Sequence, residues 1–123
     1  FIWQIPHFWL LLMVYDKDYK QAGFPVLTDV FSSNVLKCVT IMWLIVCVLI
    51  GAGIAAAGFM HYAISEFVLL SSAAWVLFGI YKFYKSDNGR NSIFKMFLNI
   101  NFFTVLIILI LTMDKIIYII NRL

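Results

Sequence analysis

Hydrophobic positions along the chain gather into four runs divided by polar segments. Three runs, 39–59, 63–83 and 93–118, are long enough to cross a hydrocarbon core of about 30 Å at ~1.5 Å per residue, the last of them tilted or emerging at its end. The fourth, 1–14, is too short to span alone, and it lacks the basic region and small-residue cleavage site of a signal peptide. It reads as the second half of a helix whose first half lies upstream, so the chain is expected to be the C-terminal portion of a larger protein. The other reading is a complete small protein with a half-inserted N-terminal helix. The pattern predicts an all-α fold, a polytopic transmembrane helical bundle forming one domain, without internal repeats.

Between the runs lie a long polar segment, 15–36, a short link around His61, and a third loop, 84–92. Alternation places the first and third on one side of the membrane. That side carries Lys17, Lys20, Lys37, Lys82, Lys85, Arg90 and Lys95, seven of the nine basic residues, against Lys115 and Arg122 opposite. By the positive-inside rule the long segment and third loop face the cytoplasm, or the matrix of a mitochondrion, and the C-terminus lies outside.

Composition agrees with the pattern. Hydrophobic residues make up 64% and charged residues 12%, with a mean hydropathy of +0.98, where a soluble domain has roughly half apolar and about a quarter charged. The net charge of +3 therefore bears on orientation. No basic patch interleaved with exposed aromatics suggests nucleic acid, and the aromatics suit lipid-facing and interfacial positions. Cys38 and Cys47 fit neither a CxxC metal site nor a disulfide framework.

Within the spans, the small residues from Gly51 to Gly58 offer i, i+4 pairs that let another helix approach closely. Glu66 and Asp114 lie near outer ends of spans, where interfacial placement is expected; the alternative is a buried functional carboxylate. Asn99 and Asn101 are expected to make interhelical hydrogen bonds.

Candidate chemistry begins at WQIPHF, 3–8, where a glutamine, a proline and a histidine interrupt an otherwise apolar run. If the first helix continues as far as Tyr19 at about 100° per residue, Gln4, His7, Tyr15 and Asp18 fall within about 80° of one another, whereas Asp16 points to the opposite side. Such a stripe should face a bundle interior or a water-filled cavity, because lipid cannot satisfy it. Pro6 is expected to kink the helix beside it. Gly23, able to adopt positive φ, and Pro25, which biases Phe24 away from α, predict a turn after Ala22 that sends the chain back toward the membrane. Asp18, flanked by Lys17 and Lys20, supplies oxygens for Mg²⁺ and ammonium groups for phosphate, a combination that suits a diphosphate bound through magnesium. A solvated loop without function is the plain alternative, and one aspartate does not make a site alone.

Trp3, Gln4, Pro6, His7 and Phe8, followed by Tyr15-x-x-Asp18-Tyr19-x-x-Ala22-Gly23-x-Pro25, resemble the heme O synthase family within the superfamily of intramembrane aromatic prenyltransferases. The specific part of the resemblance covers the first 27 residues, and the rest is layout. It implies a nine-helix bundle around a cavity opening to lipid, in the bacterial inner membrane, with two polar loops on the cytoplasmic side. The implied activity transfers the farnesyl group of farnesyl diphosphate to the 2-vinyl group of heme b, with addition of water and release of diphosphate. Mg²⁺ is the implied cofactor and heme b a substrate; the implied partners are the lipid bilayer and heme A synthase or the terminal oxidase assembly machinery.

By the same resemblance Asp18 sits in the second aspartate motif, helping to bind the Mg²⁺ diphosphate. Tyr15 and Tyr19 line the mouth, and Lys17 or Lys20 touches phosphate oxygens. His7 is either a heme contact, as an axial ligand, or a hydrogen-bonded structural histidine. Gln4 orients His7 or a substrate carboxylate, and Trp3 stacks on porphyrin or prenyl chain. The first motif, N-x-x-x-D-x-x-x-D, is not in the chain, and Val26, Thr28 and Asp29 depart from the Met and Pro of the family turn. Rival readings are another prenyltransferase of the superfamily, acting on an aromatic quinone precursor or a chlorophyll-type ring, and a noncatalytic membrane component.

Overall fold

A computed structural model describes residues 1–87 and 89–122. Position 88, in the third loop, and position 123 lie outside the described residues. The described residues form six helices and no strand: α1 (Gln4–Val14), α2 (Asp16–Gln21), α3 (Leu27–Val30), α4 (Ser33–Ala56), α5 (Ala63–Lys85) and α6 (Arg90–Ile120). Three of them, α4, α5 and α6, are long and apolar enough to cross a membrane, and α1 is a shorter apolar helix. At ~1.5 Å per residue α6 is about 46 Å long, more than a hydrocarbon core of about 30 Å requires, so at least one of its ends projects beyond it.

The four apolar helices pack as a ring of neighbours in which α1 touches α4 and α6, and α5 touches α4 and α6. Its centre is filled by Leu10, Leu44, Val48, Leu69, Val76, Ile100 and Phe103, all buried. The outward faces carry exposed Phe67, Phe78, Phe94, Phe102 and Leu109, a density of apolar surface that water would not tolerate and lipid does. The molecule is an integral membrane protein. Hydroxyls on these helices are silenced locally: Thr40, Ser71, Thr104 and Thr112 each donate to the carbonyl four residues earlier.

Only some of the expected run of small residues meets a neighbouring helix. Gly51 is buried where α4 meets α6, with a Cβ there falling 2.9 Å from Phe103 Cζ, and Ala55, one turn on, is also buried. Gly53 faces open space. Gly58 lies beyond the helix end at φ 70°, the left-handed conformation that stops α4.

The polar segment is more ordered than a loop. The chain passes from α1 to α2 through Tyr15, at φ −102° and ψ 14°, with Tyr15 N–H still donating to Leu11 and Tyr19 N–H to Tyr15. The first helix is thus nearly continuous to Gln21. It ends as expected: Gly23 has φ 77°, and the chain turns back through Pro25. Val26 is buried, and α3 lies over Trp9, Leu12 and Met13 with a void of only about 10 Å³ beneath it. Ser32 then accepts from Val35 N–H and starts α4 well before the apolar run at 39. Pro6 is the third residue of α1 in this structure and is buried.

Candidate functional site

The face shared by Leu11, Tyr15, Asp18, Tyr19, Ala22 and Phe24 lines an open groove of about 350 Å³. Their spacing is helical, and near-continuity through Tyr15 is what keeps Asp18 in line with α1. Asp18 is well exposed, and Arg90, the first residue of α6, reaches it with Nη2 3.8 Å from Oδ2. The same guanidinium lies over the Tyr15 ring, 5.6 Å from its centroid. Tyr19 packs edge-on against Phe24, closing one wall.

Asp16 points away from this groove. It accepts from the Thr28 hydroxyl and pairs with Lys20 at 3.2 Å, and Lys20 also pairs with Asp29 at 3.2 Å. Asp29 in turn accepts from Val26 N–H at 3.4 Å. These bonds fasten α3 to α2 on the side opposite Asp18. They also raise the Lys20 pKa, chiefly through the hydrogen bond to Asp16, which outweighs an opposing desolvation, with Asp29 adding a lesser share. Because the folded value lies above 10.5, the contribution of Lys20 to the loop is complete at neutral pH and is lost only as pH climbs through that raised value. Lys17 is exposed.

The stripe expected along α1 is therefore divided. Gln4 and Trp3 lie along a separate, mostly apolar groove of about 560 Å³ with Ile50, Gly51 and Ile54 of α4 and Thr104 and Ile107 of α6. His7 turns into the bundle. Its Nδ1 meets Asn101 Oδ1 at 2.8 Å, one ring face stacks on Trp3 at 4.8 Å and 14°, and Phe97 lies 4.9 Å away. With the amide oxygen accepting, the proton is on Nδ1 and the lone pair on Nε2. The geometry matches the hydrogen-bonded structural histidine, and an iron contact would fall to Nε2 alone.

For magnesium, the described residues include no group of three His, Cys, Asp or Glu side chains that would hold an ion by themselves. Mg²⁺ commonly takes one or two carboxylates together with substrate phosphates and water. Asp18 fits one such ligand; Asp16 and Asp29, committed to Lys20, do not.

Three features were missed by the sequence reading in whole or in part. Arg90 had no local signal, because its place beside Asp18 arises only when α6 packs on α1. Asn101 was expected to bond another helix, but its partner was not identified. The third feature lies at the opposite end of the bundle, where Asp114 was expected at the interface. It is 3% exposed and accepts from His61 N–H at 2.9 Å, Tyr62 N–H at 3.2 Å and the His61 ring at 2.9 Å. His61 stacks on Tyr118 with centroids 3.7 Å apart. Glu66, by contrast, is exposed.

Several curated relatives share one name. The chain is 29% identical over 108 residues to proteins named "Protoheme IX farnesyltransferase" from Bacillus thuringiensis (strain Al Hakam), Bacillus cereus (strain B4264) and Bacillus anthracis (strain CDC 684 / NRRL 3495), matching 88% of this chain and 34% of each of them. The chain thus spans about a third of the length of these relatives. No family model matches it, and no solved structure does.

Proposed function

We infer that the chain forms the C-terminal part of a protoheme IX farnesyltransferase, which moves the farnesyl group of farnesyl diphosphate onto the 2-vinyl group of heme b. The observation that carries this reading is Asp18 beside Tyr15 and Tyr19 in a groove at the end of a nearly continuous apolar helix, in a chain similar over 88% of its length to proteins of that name.

In this reading the groove receives the diphosphate head, and the apolar surfaces below receive prenyl chain and porphyrin. Asp18 offers a carboxylate to the head group, and Tyr15 and Tyr19 wall it in. Mg²⁺, when bound, neutralises charge building on the leaving diphosphate. The C–O bond to the farnesyl group breaks with its electron pair leaving on diphosphate, and the vinyl carbon bonds the farnesyl carbon. Water adds to the resulting cation and a proton is released, so the product carries a hydroxyethylfarnesyl group. The Trp3–His7–Phe97 stack stiffens the wall of the chamber, with Nε2 of His7 the one nitrogen left for heme. The protein lies in a bacterial inner membrane with α2 and α3 on the cytoplasmic side.

The test places the full-length protein in cells lacking heme O synthase and extracts their pigments. Heme O is expected from the parent protein and at least a hundredfold less from Asp18→Ala. Normal heme O from Asp18→Ala sinks the site assignment, and none from the well-expressed parent favours a noncatalytic role.

A further inference from the structure

We propose that Arg90, rather than Lys20, is the cation that receives the diphosphate beside Asp18; this rests on the diphosphate reading above. Two cations pair with the aspartates of the segment, from opposite sides. Lys20 is held between Asp16 and Asp29, 3.2 Å from each, on the side turned away from the groove. A phosphate would have to strip it from two carboxylates. Arg90 lies on the groove side, over the Tyr15 ring and 3.8 Å from Asp18.

That pair is built to be exchanged. Both side chains are well exposed, at 64% and 59%, and an exposed pair at this separation contributes little stability. Nor is Arg90 needed to hold the loop, since the Asp16–Thr28 hydrogen bond and the Lys20 pairs already fasten α2 to α3 from the other side. A diphosphate carries more negative charge than one carboxylate, and the planar guanidinium matches its oxygens with two parallel N–H donors. Resting on Tyr15 fixes the plane of the guanidinium in advance, which lowers the ordering cost of binding. When Arg90 turns to phosphate, the Asp18 oxygen it leaves is released for a divalent cation bound with the head group. The third loop and α6 thereby become part of the site that the polar segment begins.

The experiment measures binding of inorganic diphosphate, in the presence of Mg²⁺, to the purified full-length protein by calorimetry. Arg90→Gln is expected to weaken binding about tenfold and to raise KM for farnesyl diphosphate more than it lowers kcat, while Arg90→Lys recovers part of the loss. Lys85→Gln, which removes an exposed cation lying over Tyr81 instead, stays within twofold and controls for net charge. Binding by a folded Arg90→Gln within twofold of the parent overturns the proposal. A second measurement needs no variant: diphosphate should protect Arg90 of the parent protein from phenylglyoxal, read by peptide mass spectrometry, and equal modification with and without diphosphate also overturns it. Failure of the underlying reading looks different, as a parent protein that makes no heme O yet binds diphosphate through Arg90.

Discussion

Asp114 shows how much one carboxylate can organise at a membrane end. It projects from α6 and takes the backbone N–H of His61 and Tyr62, the two residues just before α5, together with the His61 ring. A negative charge there also opposes the positive end of the α5 dipole. Removing it leaves two partly buried backbone donors without their acceptor, at up to about 1–3 kcal/mol for each group left unsatisfied. Asp114→Ala should therefore lower the melting temperature of the detergent-solubilised protein clearly, and Asp114→Asn, which keeps one acceptor oxygen, should lower it less. Equal melting of Ala variant and parent would falsify this capping role. His7 makes the complementary point about reading single residues. Its presence in an apolar run signalled a special position, but only the packing of α6 reveals Asn101 as its partner and Phe97 near its ring.

At the scale of helices, one glycine decides how the Phe103 side chain of α6 seats against α4. Within a membrane the hydrophobic effect does not hold apolar helices together, so close contact between backbones matters more. Phe103 is 1% exposed, and its ring fills the space a Cβ at Gly51 would enter. Gly51→Ala should cost about 1–3 kcal/mol as the ring is forced aside. Gly53, two positions on, meets nothing within 4 Å, and Gly53→Ala should be neutral or stabilise by up to about 1 kcal/mol through backbone entropy alone. Melting curves of the two variants should shift in opposite directions or, at the least, differ sharply. The run of small residues was plain in the sequence, as were the three long helices and the turn at Gly23. Which glycine faces a neighbour was not, because helical periodicity gives an angle without saying where the neighbour stands. The order in the polar segment was hidden for a related reason: Asp16, Thr28, Lys20 and Asp29 are polar residues that look solvated until the turn brings them into contact.

For the whole molecule, the question that decides function is which side of the membrane Asp18 faces. The fold brings α2, α3, the start of α4, the end of α5 and the start of α6 to one end, since successive long helices reverse direction. That end gathers the basic residues that the sequence pattern had assigned to one side. Lys37 shows that not all of these charges are free: it is buried at the end of α5, donates to the Ser86 carbonyl and lies 5.1 Å from the Phe83 ring centroid, so it serves a helix C-terminus. Lys17, Lys82, Lys85, Arg90 and Lys95 remain exposed, and the proposed cytoplasmic placement of this end rests on them through the positive-inside rule. On the proposed function the groove receives a diphosphate, which does not cross a bilayer unaided, so the groove must open on the side where that substrate is. Single cysteines at Asp87 and Phe59, exposed positions at opposite ends of α5, test this in a cysteine-free full-length background. A membrane-impermeant maleimide should label Phe59→Cys in intact spheroplasts and Asp87→Cys only after permeabilisation. The reverse pattern would put Asp18 and Arg90 outside the cell, where the farnesyl-transfer reading requires an external supply of diphosphate substrate.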